Sequence, residues 1–343
     1  MVQPLEELRL QASHIIRKRD AGRFAPTPTG SLHVGNAYTA LLSWLASRSS
    51  GFHEILRMDD LDPKATPKGC VEQQIDDLNW LGLSYDEGPK IGGDAGPYFQ
   101  GQRAQYYRTG LEYLNQRKLL YPCYCTRKEL ATLAPHASDE GVIYPEICKP
   151  SSPSILNLDE LPTKSGRLPS IRLNVTQGLK ILNREDKVVQ RWRDKVAGDV
   201  TIDLINQVGD FIVQRKDGVS AYQLACAIDD WTQGCTLVLR GNDLLPSTAR
   251  QQLLLELFDA PTIHYAHVPL VLDINGERLA KRRLSTQLRG LREQGISPTK
   301  FRKSLSIAWG GPPTGNLDEL LDSFSWASMP RQPIRWGQMQ SSE

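Results

Sequence analysis

Arg23-Phe24-Ala25-Pro26-Thr27-Pro28-Thr29-Gly30-Ser31-Leu32-His33-Val34-Gly35-Asn36 is the stretch that decides the fold. Arg23 to Ala25 reads as a short extended segment, stopped by Pro26 and Pro28, which cannot donate to a sheet ladder. From about His33 to Arg48 the apolar positions Leu41, Leu42 and Leu45 follow a helical spacing, closed by Ser49-Ser50-Gly51. His53 to Met58 then reads as a second strand. Val71, Ile75, Leu78 and Leu81 give a second helix after Gly69, with Gly82 at its C-terminal cap. Strand, helix, strand, helix implies an α/β fold on a parallel sheet. In such sheets ligands sit where a strand hands over to its helix. The unpaired N–H groups and positive end of that helix suit phosphate, Gly35 permits close approach of a purine, and His33 is placed to donate to a triphosphate. The plain alternative is a tight loop with a capping histidine.

Outward from this unit the chain divides further. Residues 1–22 carry an amphipathic helix over about 4–20, read as an N-terminal arm. Residues 23–120 form the first half of the Rossmann-type domain. Residues 121–198 change character and read as an insertion, with Ile171 to Leu173 and Lys180 to Ile181 as strands. Residues 199–262 read as the second half, in which the apolar segments Asp210 to Gln214, Tyr222 to Ile228 and Thr236 to Leu239, with a helix from about Pro246 to Phe258, complete the sheet. Residues 263–325 hold a loop and a small helical subdomain, and 326–343 is a tail whose last dozen residues are expected to fray.

At 343 residues the chain exceeds one growing core, so a main domain with smaller attachments is expected. Its 40% hydrophobic and 23% charged residues exclude a disordered chain. No apolar run approaches the roughly 18 residues of a membrane span, and the first twenty residues do not read as a signal peptide, so the cytoplasm is expected. The net charge is only +2, so a polyanion must be held by a local patch. Arg278, Lys281, Arg282, Arg283, Arg289, Arg292, Lys300, Arg302 and Lys303 form such a patch in sequence, with a solvated helix face as the competing reading.

Six cysteines are too sparse for a disulfide framework, but Cys123, Cys125 and Cys148 fall in one short stretch. Three soft thiolates favour zinc at a closed tetrahedral site, with His136 or Tyr144 as the fourth ligand.

The 23–36 stretch resembles the signature of the glutamyl-tRNA synthetases of class I. Arg57-Met58-Asp59-Asp60-Leu61-Asp62-Pro63, Ala221-Tyr222-Gln223-Leu224-Ala225 and Leu239-Arg240-Gly241-Asn242-Asp243-Leu244 continue the resemblance, and Glu277-Arg278-Leu279-Ala280-Lys281-Arg282 resembles the family's mobile Lys-Met-Ser-Lys-Ser loop. The resemblance implies that Arg23, Phe24, Ala25, Pro26, Thr27, Asp59, Tyr222 and Arg240 line a glutamate pocket. Arg23 and Arg240 supply guanidinium forks for its carboxylates. It implies that His33, Gly35, Asn36 and Lys281 meet ATP, with His33 and Lys281 carrying the chemistry. Glutamate's carboxylate attacks the α-phosphate in line, so positioning and charge suffice and no protein nucleophile is needed. Asp59 stands where the family usually has Glu, and Arg278 and Ala280 replace a lysine and a serine.

Cys-x-Cys followed by Tyr-x-x-x-Cys matches the glutamyl-Q tRNA(Asp) branch of the family position for position, which selects Tyr144 as the fourth zinc ligand. About forty residues follow Lys303, fewer than an anticodon-binding domain needs. The resemblance implies a monomer using ATP, Mg²⁺ and L-glutamate, with zinc as a structural ion and queuosine in tRNA(Asp) as acceptor. The rivals are a truncated enzyme charging tRNA(Glu) and a non-catalytic paralogue that binds glutamate, nucleotide or RNA.

Overall fold

In the computed structural model, the structure describes residues 3–62, 64, 66–126, 128–130, 143–277 and 287–336. Helix α1 (Gln3–Lys18) leads into strand β1 (Ala21–Phe24), which is buried at all four positions, as a strand covered on both faces must be. Helix α2 (Val34–Ser49) returns the chain to β2 (His53–Leu56), which pairs in parallel with β1 from Ala21↔His53 to Phe24↔Leu56. On the other edge Ala21 bridges Cys235, and the Thr236 N–H donates to Ala21 O at 2.8 Å.

Gly22 is required in β1. A Cβ there would lie 2.0 Å from Ser47 Oγ and 2.8 Å from Glu54 Oε2. That close approach buries the Glu54 carboxyl, which accepts from Ser43 and Ser47 at 2.6 Å each.

Helix α3 (Cys70–Trp80) and helix α4 (Ala104–Gln116) precede an antiparallel sheet of β3 (Leu120–Cys123) and β4 (Ser170–Leu173). Lys180 and Ile181 are not in a strand: Asn174 accepts from the Gln177 N–H at 3.0 Å and caps a short helix, α5 (Val175–Ile181). A side-chain cap three residues ahead of a backbone donor is a local signal that the apolar pattern hides. The hairpin β5 (Val189–Asp194) and β6 (Gly198–Asp203) follows.

Strand β7 (Phe211–Gln214) does not complete the parallel sheet. It pairs antiparallel with β4. Phe211 and Val213 are buried while Ile212 and Gln214 are half-buried, the period-two pattern of a one-faced strand. Helix α6 (Tyr222–Thr232) then leads to β8 (Leu237–Gly241), helix α7 (Leu245–Leu257) and β9 (His264–Val268), which lies parallel to β8. The parallel strands therefore run β2-β1-β8-β9.

The N-terminal helix is part of the body. Leu5, Leu8 and Ala12 enter the core shared by α4, α6 and α7, and Arg9 Nη2 donates to Phe258 O at 2.9 Å. Beyond β10 (Val271–Leu272), the helices α8 (Leu288–Glu293), α9 (Pro298–Trp309) and α10 (Leu317–Asp322) pack beside α2 and α3.

The expected fraying of the last dozen residues is corrected as far as residue 336. Ile334–Arg335 forms β11 against β10, the Trp336 N–H donates to Leu272 O at 2.8 Å, and the Trp336 ring meets Phe301 edge-on at 5.6 Å. Two isolated aliphatic and aromatic residues among prolines gave no periodic signal, yet one buried tryptophan suffices to hold the segment.

Among the described residues no helix is long and apolar enough to cross a membrane.

Candidate active site

The β1–α2 junction opens on a cavity of about 400 Å³, walled by Arg23 to Thr27, His33, Gly35, Asn36, Thr39, Leu239 to Gly241, Asp243, Leu244 and Pro269 to Val271. The carboxyl ends of β1 and β8 and the start of α2 thus face one space, as the parallel topology dictates.

His33 is the N-cap of α2. Its Nδ1 accepts from the Asn36 N–H at 3.3 Å, and Asn36 Oδ1 accepts from the His33 N–H at 3.2 Å. The capping reading of His33 is therefore realised, and it leaves the imidazole on the cavity wall. A Cβ on Gly35 would come within 3.0 Å of His33 Cε1 and face Val271 at 3.9 Å, so glycine keeps this corner open.

Lys281 lies outside the described residues. The flanks of its segment are tied to the same wall: Gln287 bridges His33 antiparallel, the Leu288 N–H donates to Leu32 O at 3.0 Å, and Val271 lines the cavity ahead of a turn at Asp273–Glu277.

Beneath the cavity lies a buried ion network. Arg57 Nε donates to Asp59 Oδ1 and its Nη1 to Asp230 Oδ1, each at 2.7 Å, while Arg23 Nε donates to Asp230 at 3.2 Å. Burial alone would raise the Asp230 carboxyl, but the guanidinium groups of Arg23 and Arg57 hold it down at about 2. Asp59 moves the other way: burial raises it, with Arg57 opposing. One Asp59 oxygen is thus given to Arg57, and the other meets Cys226 Sγ at 3.7 Å. Asp59 and Tyr222 are set back from the cavity wall. Tyr222 sits among the same charges, its phenol raised first by burial, then by Cys226 and Asp59, against Arg240 and Arg23.

Arg240, 3% exposed, differs from these arginines. It donates from Nη2 to Thr248 Oγ1 at 2.7 Å, from Nη1 to Gln251 Oε1 at 2.8 Å and from Nε to His267 Nε2 at 3.2 Å. Among the described residues no carboxylate lies within ion-pairing distance of it. A buried guanidinium on a cavity wall whose direct partners are neutral has the chemistry to take an anion.

A second groove of about 560 Å³ runs between Leu61, Gln100 and Gly101, the first turns of α4 at Ala104, Gln105 and Arg108, and the turn after β7 from Asp217 to Ser220. Gln100 joins it to the ion network, its Nε2 donating at 2.8 Å to Asp229, whose Oδ2 lies 3.9 Å from Arg57 Nε.

The Sγ atoms of Cys123, Cys125 and Cys148 lie within 4.8 Å of one another. Cys125 and Cys148 are 3.7 Å apart, close to the roughly 3.8 Å edge of a tetrahedron of thiolates about 2.3 Å from zinc. Tyr144 Oη is 3.4 Å from Cys123 Sγ and 3.8 Å from Cys125 Sγ, and it accepts the Cys148 N–H at 2.8 Å. The Arg172 guanidinium stacks over the Tyr144 ring at 3.7 Å. His136 falls outside the described residues. The donor set fits a zinc ion.

In the described part of the basic strip three arginines have partners within the protein. Arg292 pairs with Asp76 and Asp77 of α3, Arg302 donates to Leu81 O and Gly315 O, and Arg289 pairs with Glu293. Arg278, Lys281, Arg282 and Arg283 lie outside the described residues.

Sequence reading missed Arg57 as a hub, Asp230, and the partners of Arg240. The available signal was charge inside apolar runs: Arg57 directly follows Ile55-Leu56, and Asp229-Asp230 interrupts an otherwise apolar helix.

Residues 21–308 match the family of tRNA synthetases class I (E and Q), catalytic domain. The chain is 41% identical to the glutamyl-Q tRNA(Asp) synthetase of Symbiobacterium thermophilum over 320 residues, covering 92% of this chain and 95% of that protein. It is equally 41% identical to the protein of the same name from Nitratidesulfovibrio vulgaris, covering 91% and 94%. The solved glutamate-tRNA synthetase of Elizabethkingia anophelis superposes with a TM-score of 0.76 at 25% identity, over 94% of this chain and 69% of that one. The chain belongs to the class I tRNA synthetases of the E and Q family, and within it to the glutamyl-Q tRNA(Asp) synthetases.

Proposed function

We propose that this enzyme activates L-glutamate with ATP and Mg²⁺ to glutamyl-adenylate and transfers the glutamyl group to queuosine of tRNA(Asp). The observation that carries the reading is Arg240, a buried cation in a neutral cage on the wall of the cavity. A carboxylate of the substrate supplies the missing counter-charge, and Arg23, Asp59 and Tyr222 arrange the remaining polar groups around it. ATP lies over Gly35 with its phosphates toward His33 and the start of α2, and Lys281 is proposed from the sequence motif as the cation that adds charge to them. The glutamate carboxylate attacks the α-phosphate and pyrophosphate leaves; a hydroxyl of the RNA then attacks the acyl carbon and AMP leaves. The protein's part in both steps is to position the reactants and stabilise phosphate charge.

Cys123, Cys125, Tyr144 and Cys148 would hold zinc, which supplies structural cross-linking to the insertion and no chemistry to the reaction.

The test is acid-stable incorporation of labelled glutamate, with ATP, into tRNA(Asp) with and without queuosine and into tRNA(Glu). Labelling that requires queuosine is expected. Labelling of tRNA(Glu) alone would replace the acceptor in this proposal, and labelling of neither RNA would remove the transfer step.

A further inference from the structure

The cage around Arg240 is itself held from outside the cavity. Asp194, the last residue of β5, and His267 on β9 have fully buried side chains, and His267 Nδ1 lies 2.6 Å from Asp194 Oδ2. The other ring nitrogen, Nε2, is 3.2 Å from Arg240 Nε and 3.0 Å from Thr248 Oγ1. Arg240 Nε–H can only donate, so Nε2 must accept, and the single ring proton must sit on Nδ1, donated to Asp194. Burial, the largest influence, lowers the His267 pKa, with Asp194 opposing and Arg240 assisting, which agrees with a neutral ring. Asp194 cannot turn away: its Oδ1 accepts the backbone N–H groups of Val196 at 3.0 Å, Ala197 at 2.9 Å and His267 at 3.0 Å.

We infer that Asp194 and His267 are positioning residues that lock the Arg240 fork by fixing the histidine tautomer, and that through it they set the pocket's preference for a carboxylate over a carboxamide. This inference rests on the glutamate reading of the cavity. Three of the five guanidinium N–H groups are spent on Thr248, Gln251 and His267, which leaves two for a ligand. Because every partner is neutral, a carboxylate meets an unshared positive charge, whereas a carboxamide in the same place gains less and must present its own NH₂ to one of the donors.

Asp194→Asn isolates the effect with almost no change of shape. The three backbone donors at Oδ1 retain the amide oxygen there, so the amide NH₂ falls against His267 Nδ1. The ring must then carry its proton on Nε2, pointing at Arg240 Nε–H, and two donors oppose each other. His267→Gln is the second variant: its amide oxygen can accept from Arg240 without reference to Asp194.

The experiment measures pyrophosphate exchange into ATP by the full chain, with and without tRNA, as a function of glutamate, glutamine and ATP. Glutamate-dependent exchange by the wild type establishes the underlying reading first; its absence would overturn that reading and this inference together. Given that activity, Asp194→Asn is expected to raise KM for glutamate about 10- to 100-fold, the range for losing alignment of a charged hydrogen bond. KM for ATP should stay within about 2-fold, and the glutamate-to-glutamine ratio of kcat/KM should narrow by about the same factor as KM rises. His267→Gln should lose less, and adding Asp194→Asn to it should cost nothing further, since the tautomer no longer exists to be set. A folded Asp194→Asn protein with wild-type KM and selectivity would overturn the inference. So would equal losses for glutamate and ATP, which a merely structural role produces. Were Asp194→Asn not to fold, a His267→Gln protein with wild-type selectivity whose activity still responds to substitution of Asp194 would also overturn it.

Discussion

Two buried arginines line the same cavity and stand in opposite electrostatic situations. Arg23 shares the carboxylate of Asp230 with Arg57, so its charge is matched within the protein. Arg240 has only neutral partners. The difference separates framework from receptor. A compensated cation holds β1 to α6 and β8, whereas an uncompensated one stores an attraction that a substrate satisfies.

The comparison breaks most severely at Arg23. Arg23→Ala leaves Asp230 with one cation in place of two, and should cost about 3–5 kcal/mol of folding stability by the usual penalty for splitting a buried pair. Chemical denaturation checks this; a loss below about 1 kcal/mol would mean that Arg23 is not framework. Arg240→Gln should do the reverse, reducing kcat/KM for glutamate about 100-fold through the lost charged contacts while the midpoint of unfolding moves little. Equal behaviour of the two variants would erase the distinction.

A smaller effect lies in the insertion. Cys148→Ser removes one thiolate of the proposed zinc set, and metal analysis should fall from one equivalent to near none, with increased proteolysis confined to residues 121–198. Retention of stoichiometric zinc would place the ion elsewhere.

A pH-dependent effect concerns Glu54, whose carboxyl is pushed up to about 7 by burial against the ordinary 4.5. The folded state then holds a proton that the unfolded chain releases. The associated stability is full below about pH 4.5 and is lost as pH rises to about 7, at no more than about 1.4 kcal/mol per pH unit. Glu54→Gln, which keeps partners for Ser43 and Ser47, should flatten that decline. Parallel denaturation of both proteins from pH 5 to pH 8 reads it, and identical slopes would show that Glu54 ionises freely in the fold.

The first half of the parallel sheet and its junction with α2 could be read from the chain because the information is local: prolines stop β1, Leu41, Leu42 and Leu45 repeat at helical spacing, and glycines mark the ends. The placement of β7 was not legible, since a strand's partner depends on contacts far along the chain, although its alternation carried the hint. The last segment escaped for a related reason: Trp336 is ordered by Phe301 and β10, remote in sequence. At the candidate site the motifs placed Arg23, His33, Gly35 and Arg240 around one cavity. What they left out was the supporting layer. Asp194 and His267 stand 73 positions apart and meet only through the fold. A histidine in strand β9 gives no sign in sequence of the carboxylate that fixes its tautomer.

The most direct test of the account is the amino-acid dependence of pyrophosphate exchange into ATP by the wild-type enzyme, with and without tRNA, comparing glutamate, glutamine and aspartate. The uncompensated charge of Arg240 predicts exchange with glutamate that exceeds exchange with glutamine by at least about 100-fold. Equal exchange with glutamine, or none with glutamate under either condition, would contradict the assignment of Arg240 as the receptor for the substrate carboxylate.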